Sequence, residues 1–451
     1  MSLTAPTYWA QHAWLGDRAE PGTLIETAAD GTIAAVRTGV TAPPPGAVTL
    51  RGLTLPGLAN AHSHAFHRAL RGTVQRDRGT FWTWRETMYE VAGRLTPDSY
   101  FALARAVYAE MALAGITCVG EFHYLHHQSG GTPYADPNAM GEALIAAAAE
   151  AGIRITLLDT AYLHGGLTSD GHRPLEGPQL RFGDGSADAW YERWRALKGG
   201  GHARIGAALH SVRAFSEADG YGEFARWTEG VPTHIHLSEQ PAENEACLAV
   251  HGRTPTRLLA DHGFWRPTTS AVHATHLTDE DIALLGAAST TVCMCPTTER
   301  DLADGIGPAV RLAEAGCPLS LGSDSHAVID LLEEARAMEL DERLRTQVRG
   351  HWSAARLLDA ATGDGHASLG WPEAGRLAPG ALADFSTVAL DTVRTAGPPA
   401  RLAGETAVFA ATGADIRHTV VGGRHVVRDG RHLLVPDVPA ALADAIGALH
   451  G

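Results

Sequence analysis

Lysine is almost missing from this chain. Lys198 is the only one, so arginine carries nearly all of the 36 basic charges, and any chemistry that needs a lysine has a single candidate. Cysteine is scarce as well: Cys118, Cys247, Cys293, Cys295 and Cys317 are an odd number scattered over 451 residues, which argues against a disulfide framework. Cys293 and Cys295 stand too close together for a zinc-ribbon pair and read as buried strand residues. No apolar run approaches the roughly 20 residues of a membrane-spanning helix, and no basic segment followed by an apolar run opens the chain. We therefore expect a soluble, cytoplasmic protein with no membrane partner. Positive charge is in deficit too, with 36 basic against 51 acidic residues and a net charge of −15. That balance argues against nucleic acid, whose phosphates are bound by clustered Lys and Arg. It leaves room for a small anionic substrate, because arginines inside a cleft act locally against the overall field.

What is present is a repeated unit. From residue 55 to about 330, short β-branched or apolar runs end in polar residues and lead into Ala/Leu-rich helical segments. The runs are Leu53 to Ala61, Ile116 to Phe122, Ile153 to Thr160, Ala203 to Leu209, Thr233 to Leu237, Ser270 to Ala274, Thr290 to Cys295 and Pro318 to Gly322. Strands buried on both faces read as continuous apolar runs, and intervening helices imply parallel crossovers. Eight such units predict an α/β fold, a closed (β/α)8 TIM-like barrel. An open doubly wound sheet would carry a glycine-rich phosphate loop after its first strand, and here the first run ends in Asn60-Ala61-His62-Ser63-His64. The flanks differ. Residues 1–54 and 376–451 hold short alternating segments with turn signals at Asp30-Gly31 and Asp429-Gly430, which predict one small β-sandwich domain formed by both termini. Residues 55–375 would then be the catalytic barrel domain.

Active sites of such barrels lie at the C-terminal ends of the strands, so the polar residues that close each run carry the chemistry. His62 and His64, two residues apart on an extended strand, present both imidazoles on one face. His236 closes the fifth run and Asp324 the eighth. Three imidazoles and a carboxylate suit one divalent ion, Zn²⁺ first, with Fe²⁺ or Mn²⁺ also compatible with such a set. Zinc at a catalytic site lowers the pKa of a water to about 7 and so supplies a nucleophile at neutral pH. Asp324 and His273, which ends the sixth run, are placed to accept the water proton, and Glu239 to pass it to a leaving nitrogen. His276 is the rival for the sixth-strand role, with His273 preferred because it falls nearer the strand end.

These residues resemble the amidohydrolase superfamily, in particular its single-metal deaminase branch. The resemblance covers the Pro56-Gly57-Leu58 entry into His62-x-His64, the His236-x-x-Glu239 pair, Gly322-Ser323-Asp324, and the Leu377-Ala378-Pro379-Gly380-x-x-Ala383-Asp384 return. It implies the same four ligands, with Glu239 and His273 in proton transfer. Binuclear relatives bridge two ions with a carboxylated lysine after the fourth strand; here that place reads Leu209-His210-Ser211, and Lys198 precedes the run, so such a bridge is excluded.

Within the branch the chain is similar to the formimidoylglutamate deiminases. The carrying segments are Phe81-Trp82-Thr83-Trp84-Arg85-Glu86-x-Met88-Tyr89, Glu121-Phe122-His123-Tyr124-Leu125-His126-His127, Ser238-Glu239-Gln240 and Cys295-Pro296-Thr297-Thr298-Glu299-Arg300-Asp301-Leu302. This likeness implies hydrolysis of N-formimino-L-glutamate to N-formyl-L-glutamate and ammonia, a step of histidine degradation, and a homodimer. It implies that Arg85 and Arg213 bind the substrate carboxylates, a task suited to the planar guanidinium, with Tyr124 and His210 as neighbouring donors. His67 departs from the family, which often has glutamine there; a contact to the formimino nitrogen would then depend on the tautomer of this histidine. His123, His126 and His127 read as structural. Two other readings compete. A single-metal deaminase of a guanine, cytosine or triazine-like ring would favour aromatic stacking and amide hydrogen bonds over paired arginines. A silent barrel kept as a scaffold would have lost its ligands, and all of them are present.

Overall fold

The computed structural model describes residues 6–75 and 78–450. Eight parallel strands, Leu58–Ser63, Ile116–His123, Arg154–Ala161, Ala203–Leu209, Thr233–Leu237, Thr269–His273, Thr291–Met294 and Leu319–Leu321, hydrogen-bond to one another in chain order. The second and third are buried along their whole length, which is why their sequences are apolar without alternation. The ring is drawn closed by a parallel bridge from Ser63 to Asp324, where the Asp324 amide donates to the His62 carbonyl at 3.0 Å. Gly322 permits this approach, since a Cβ there would stand 2.7 Å from the Cβ of His62. Barrel closure and the candidate metal ligands therefore occupy the same few residues.

The apolar run at Leu53–Ala61, expected as one strand, is two. Val48–Pro56 belongs to a separate sheet, and the barrel strand begins at Leu58. Gly57 makes the transfer: a Cβ there would press on the Thr117 side chain, with its Oγ1 only 2.1 Å away. The separate sheet has eight strands drawn from both flanks. Its order runs Arg431–His432, Arg424–Arg428, Ile416–Val421, Phe385–Val388, Val48–Pro56, Thr7–Leu15, Arg18–Thr27, Ile33–Arg37. It has its own apolar core around Tyr8, Ile25, Leu50, Phe385 and Val420. Asp384, at the end of the Leu377–Asp384 motif, is buried and pairs through both oxygens with Arg154 of the third barrel strand, at 2.6 and 3.1 Å. That fork of two charge-assisted hydrogen bonds fastens the sheet to the barrel. Among the described residues no helix is long and apolar enough to cross a membrane.

Candidate active site

His62 and His64 lie on and just after the first strand, His236 in the fifth, His273 at the end of the sixth and Asp324 beyond the eighth. Their side chains meet. Nε2 of His236 is 3.0 Å from Nε2 of His62, and Oδ1 of Asp324 lies 3.3 Å from Nε2 of His62 and 3.4 Å from Nε2 of His64. The backbone bends sharply to achieve this. Ser238, His273, Ala274, Asp324 and His326 all have left-handed φ angles, between 41° and 68°, a conformation that costs a residue other than glycine about 1–3 kcal/mol. Hydrogen bonds hold the bends: Ala274 N–H donates to Leu237 at 3.0 Å, and His326 N–H to Ser323 at 2.9 Å. Asn60 clamps the turn before Asp324 by accepting from Ser323 N–H at 2.9 Å and donating to its Oγ at 2.7 Å.

Two histidine tautomers follow from these contacts. Nδ1 of His64 is 2.9 Å from the Phe122 carbonyl and Nδ1 of His236 is 3.1 Å from the His210 carbonyl. A carbonyl only accepts, so both Nδ1 atoms carry the proton and both Nε2 lone pairs face the centre. Burial holds His62, His64 and His236 well below the usual imidazole range, His64 at about 3, with neighbouring histidines adding to the depression. Neutral imidazoles and a carboxylate thus turn their electron pairs toward one centre. Such a set fits a divalent cation, and His62, His64, His236 and Asp324 could hold it; His62, His236, His273 and Asp324 form one close group, and His64 joins with His67 on the same Asp324.

His273 is different. Burial alone would depress its pKa, but Glu239, Glu299 and Asp324 outweigh burial and raise it to about 10. Its Nδ1 lies 3.4 Å from Oε1 of Glu299; its Nε2 lies 3.6 Å from Oδ2 of Asp324 and 3.8 Å from Oε1 of Glu239. It therefore links the metal-side carboxylate to Glu239. His276 is turned elsewhere, donating to the Asp304 carbonyl at 2.8 Å. Glu239 in turn accepts from Nη2 of Arg213 at 3.0 Å.

A cavity of about 500 Å³, its mouth included, opens above this centre. The helix Phe81–Arg94 forms one wall, presenting Phe81, Trp84, Arg85, Met88 and Tyr89 at the spacing of a single helical face. Tyr124, Tyr162, Phe182 and His210 also line the cavity. Nη2 of Arg85 donates to the Tyr162 hydroxyl and the Gly165 carbonyl, both at 3.2 Å, and its guanidinium lies 5.2 Å from the Tyr89 ring centre. His67 reaches the cavity as well, with Nε2 3.1 Å from the Tyr124 hydroxyl and Nδ1 without a partner among the described residues. Burial keeps it neutral. His210 places its ring 4.3 Å from that of Tyr162. All five residues expected to bind substrate thus border one cavity. His123, His126 and His127 lie in a buried polar layer with Asp159, Asp184 and Arg193, in which Arg193 forks onto both carboxylates. Cys293 and Cys295 are buried beside Ala61 and Val272.

The family model described as the amidohydrolase family matches residues 53–426. The chain belongs to this family. A curated relative, the formimidoylglutamate deiminase of Pseudomonas aeruginosa, is 37% identical over 391 residues, covering 84% of this chain and 84% of its own. The 8-oxoguanine deaminase of the same organism is 31% identical over 365 residues, covering 77% of this chain and 76% of its own. A crystal structure of an amidohydrolase from Brucella melitensis superposes with a TM-score of 0.90 at 33% identity, covering 99% of this chain and all of that one. The protein is accordingly a hydrolase of a carbon–nitrogen bond.

Several residues that shape the site of this amidohydrolase had no role assigned from the sequence, although Glu121 and Glu299 stand in the segments that carry the resemblance. Glu121 accepts from Ser63 Oγ at 2.7 Å and from Ala65 N–H at 2.6 Å, bracing the loop that carries His64. Glu243 and Glu299 touch Arg213 and His273. The signal for Glu121 was its place at the end of the second barrel strand, where carboxylates are costly to bury. For the metal itself we predict about one equivalent of divalent ion per chain by elemental analysis. Stripping it should lower the melting temperature, and adding Zn²⁺ back should restore it, because a ligand bound only by the folded state stabilises that state. Two equivalents would contradict a single-ion site.

Proposed function

We propose that this amidohydrolase hydrolyses N-formimino-L-glutamate to N-formyl-L-glutamate and ammonia, as a step in histidine degradation. The observation that carries the reading is Arg85. Its guanidinium meets neutral oxygens and aromatic rings, and none of the described carboxylates pairs with it. A cation so placed in an aromatic cavity is complementary to an anionic group of the substrate. The 37% identity to a formimidoylglutamate deiminase supports the same substrate.

In this reading the carboxylates of the substrate lie toward Arg85 and Arg213, with the Tyr124 hydroxyl and His210 beside them, and the formimino carbon points at the histidine cluster. A divalent ion, Zn²⁺ by preference, would supply a water acidified toward hydroxide at neutral pH. Asp324 takes up a water proton as the oxygen bonds to the formimino carbon; His273, expected as a second acceptor, is favoured as an imidazolium by Glu239, Glu299 and Asp324 and orients both carboxylates instead. Glu239 relays that proton, and then the one left on the new hydroxyl, to the terminal nitrogen, so that both water protons depart in ammonia as the carbon–nitrogen bond breaks and the hydroxyl oxygen becomes the formyl carbonyl. His67, neutral and with Nδ1 unpartnered, faces the formimino end as donor or acceptor according to its tautomer. The aromatic walls favour one rival, a ring deaminase acting on a guanine-like base, and 31% identity to an 8-oxoguanine deaminase gives it support. Ammonia release from N-formimino-L-glutamate and from guanine separates the two. Turnover of the first and not the second is expected, and the reverse would overturn the proposal.

A further inference from the structure

Glu243 lies outside the cavity lining, yet it reaches two neighbours of Glu239, the Ser238 amide and Arg213. It stands in the first turn of the helix Pro241–His251 and is almost wholly buried. Its Oε1 accepts from the Ser238 N–H at 3.0 Å, and Ser238 is one of the left-handed residues, placed between the candidate ligand His236 and Glu239. Its Oε2 lies 3.1 Å from Nε of Arg213, an ion pair rather than a hydrogen bond, and Nη2 of the same guanidinium donates to Oε2 of Glu239. Arg213 is further fixed by Ser211, whose Oγ accepts from its Nε at 3.2 Å. One guanidinium is therefore shared by two buried carboxylates, and the remaining oxygen of Glu239 is directed at His273.

We infer that Glu243 is a positioning residue for Glu239, acting through the Ser238 amide on its backbone and through Arg213 on its carboxylate. The inference rests on the proton-transfer role proposed above for Glu239. It assigns Arg213 a second task beside substrate binding. A guanidinium spanning two carboxylates is fixed at both ends, whereas one released from Glu243 is free to swing with Glu239. A shift of this size at a proton-transfer group reduces turnover, and the loosened Arg213 raises KM by a smaller factor.

Glu243→Gln tests it, since the amide oxygen still accepts from Ser238 while the charge facing Arg213 is lost. Steady-state kinetics, zinc content and melting temperature are measured together. The expected result is a kcat lower by roughly 10- to 100-fold, the scale of an outer partner to a catalytic group, with a smaller rise in KM and zinc retained. In the Glu239→Gln background the same substitution should cost nothing further in kcat. An unchanged kcat, a rise confined to KM, or a full additional loss in that background would each overturn the proposal. Should the variant not fold, Arg213→Lys reads the same link, because an ammonium cannot span both carboxylates; a kcat equal to that of the wild type would refute it. Wild-type turnover of N-formimino-L-glutamate tests the substrate reading by itself. The ratio of variant to wild type, measured on whichever amidine or purine the wild type deaminates, tests Glu243 independently.

Discussion

Replacing Glu239 by glutamine should lower kcat by about 10²- to 10⁴-fold, the range for loss of a general acid–base group, while KM and zinc content stay near their wild-type values. The amide keeps the shape of the side chain and a hydrogen-bond acceptor for Arg213, so packing around it survives. What it loses is the proton. His273 cannot substitute, because Glu299 and Asp324 on either side keep its imidazolium form favoured, and the leaving nitrogen needs a group that both takes and gives. The effect should lie in kcat, because an interaction made only as the bond breaks does not enter substrate affinity. If Glu239→Gln turned substrate over at the wild-type rate, Glu239 would be a counter-ion for Arg213 and the proton route would have to be redrawn through Asp324.

The difference between what the sequence disclosed and what it concealed has a physical basis in these residues. His62, His64, His236, His273 and Asp324 were legible because a barrel strand is a linear device: an apolar run ends, and the next polar side chain stands at the mouth. The boundary at Gly57 was not, because Leu53–Pro56 and Leu58–Ala61 are equally apolar and only the crowding at Thr117 divides them into two sheets. Glu243 and Glu299 were hidden for another reason. Each lies in a helix just past a strand end, where an acidic residue is ordinary, and neither its burial nor its partner can be inferred from spacing. Arg213 shows the limit from the other side. Its side chain was expected at the cavity and borders it, but its contacts with Glu239 and Glu243 depend on the approach of two segments that follow different strands.

This sharing divides the two arginines in character, and the division makes Arg85 the more sensitive probe of substrate. Arg213 already has carboxylate partners, so a substrate anion must compete there or join an existing network. Arg85 offers five N–H donors, and the described contacts are to the neutral oxygens of Tyr162 and Gly165. Arg85→Met, which keeps much of the apolar stem packed near Tyr89 and Trp82, should reduce kcat/KM on N-formimino-L-glutamate by about 30- to 150-fold, equivalent to about 2–3 kcal/mol for a partly buried charge-assisted pair. The loss should appear chiefly as a higher KM, since the carboxylate is bound in ground state and transition state alike. Zinc content should not change, because Arg85 touches none of the four candidate ligands. Arg85→Lys should recover part of the loss, as it restores charge without the planar fork. If Arg85→Met were as active as the wild type, the cavity would not read a carboxylate at this position. Aromatic walls without an anion anchor would then favour a flat, neutral ring as substrate, with Arg85 serving only to tie the helix Phe81–Arg94 to Tyr162.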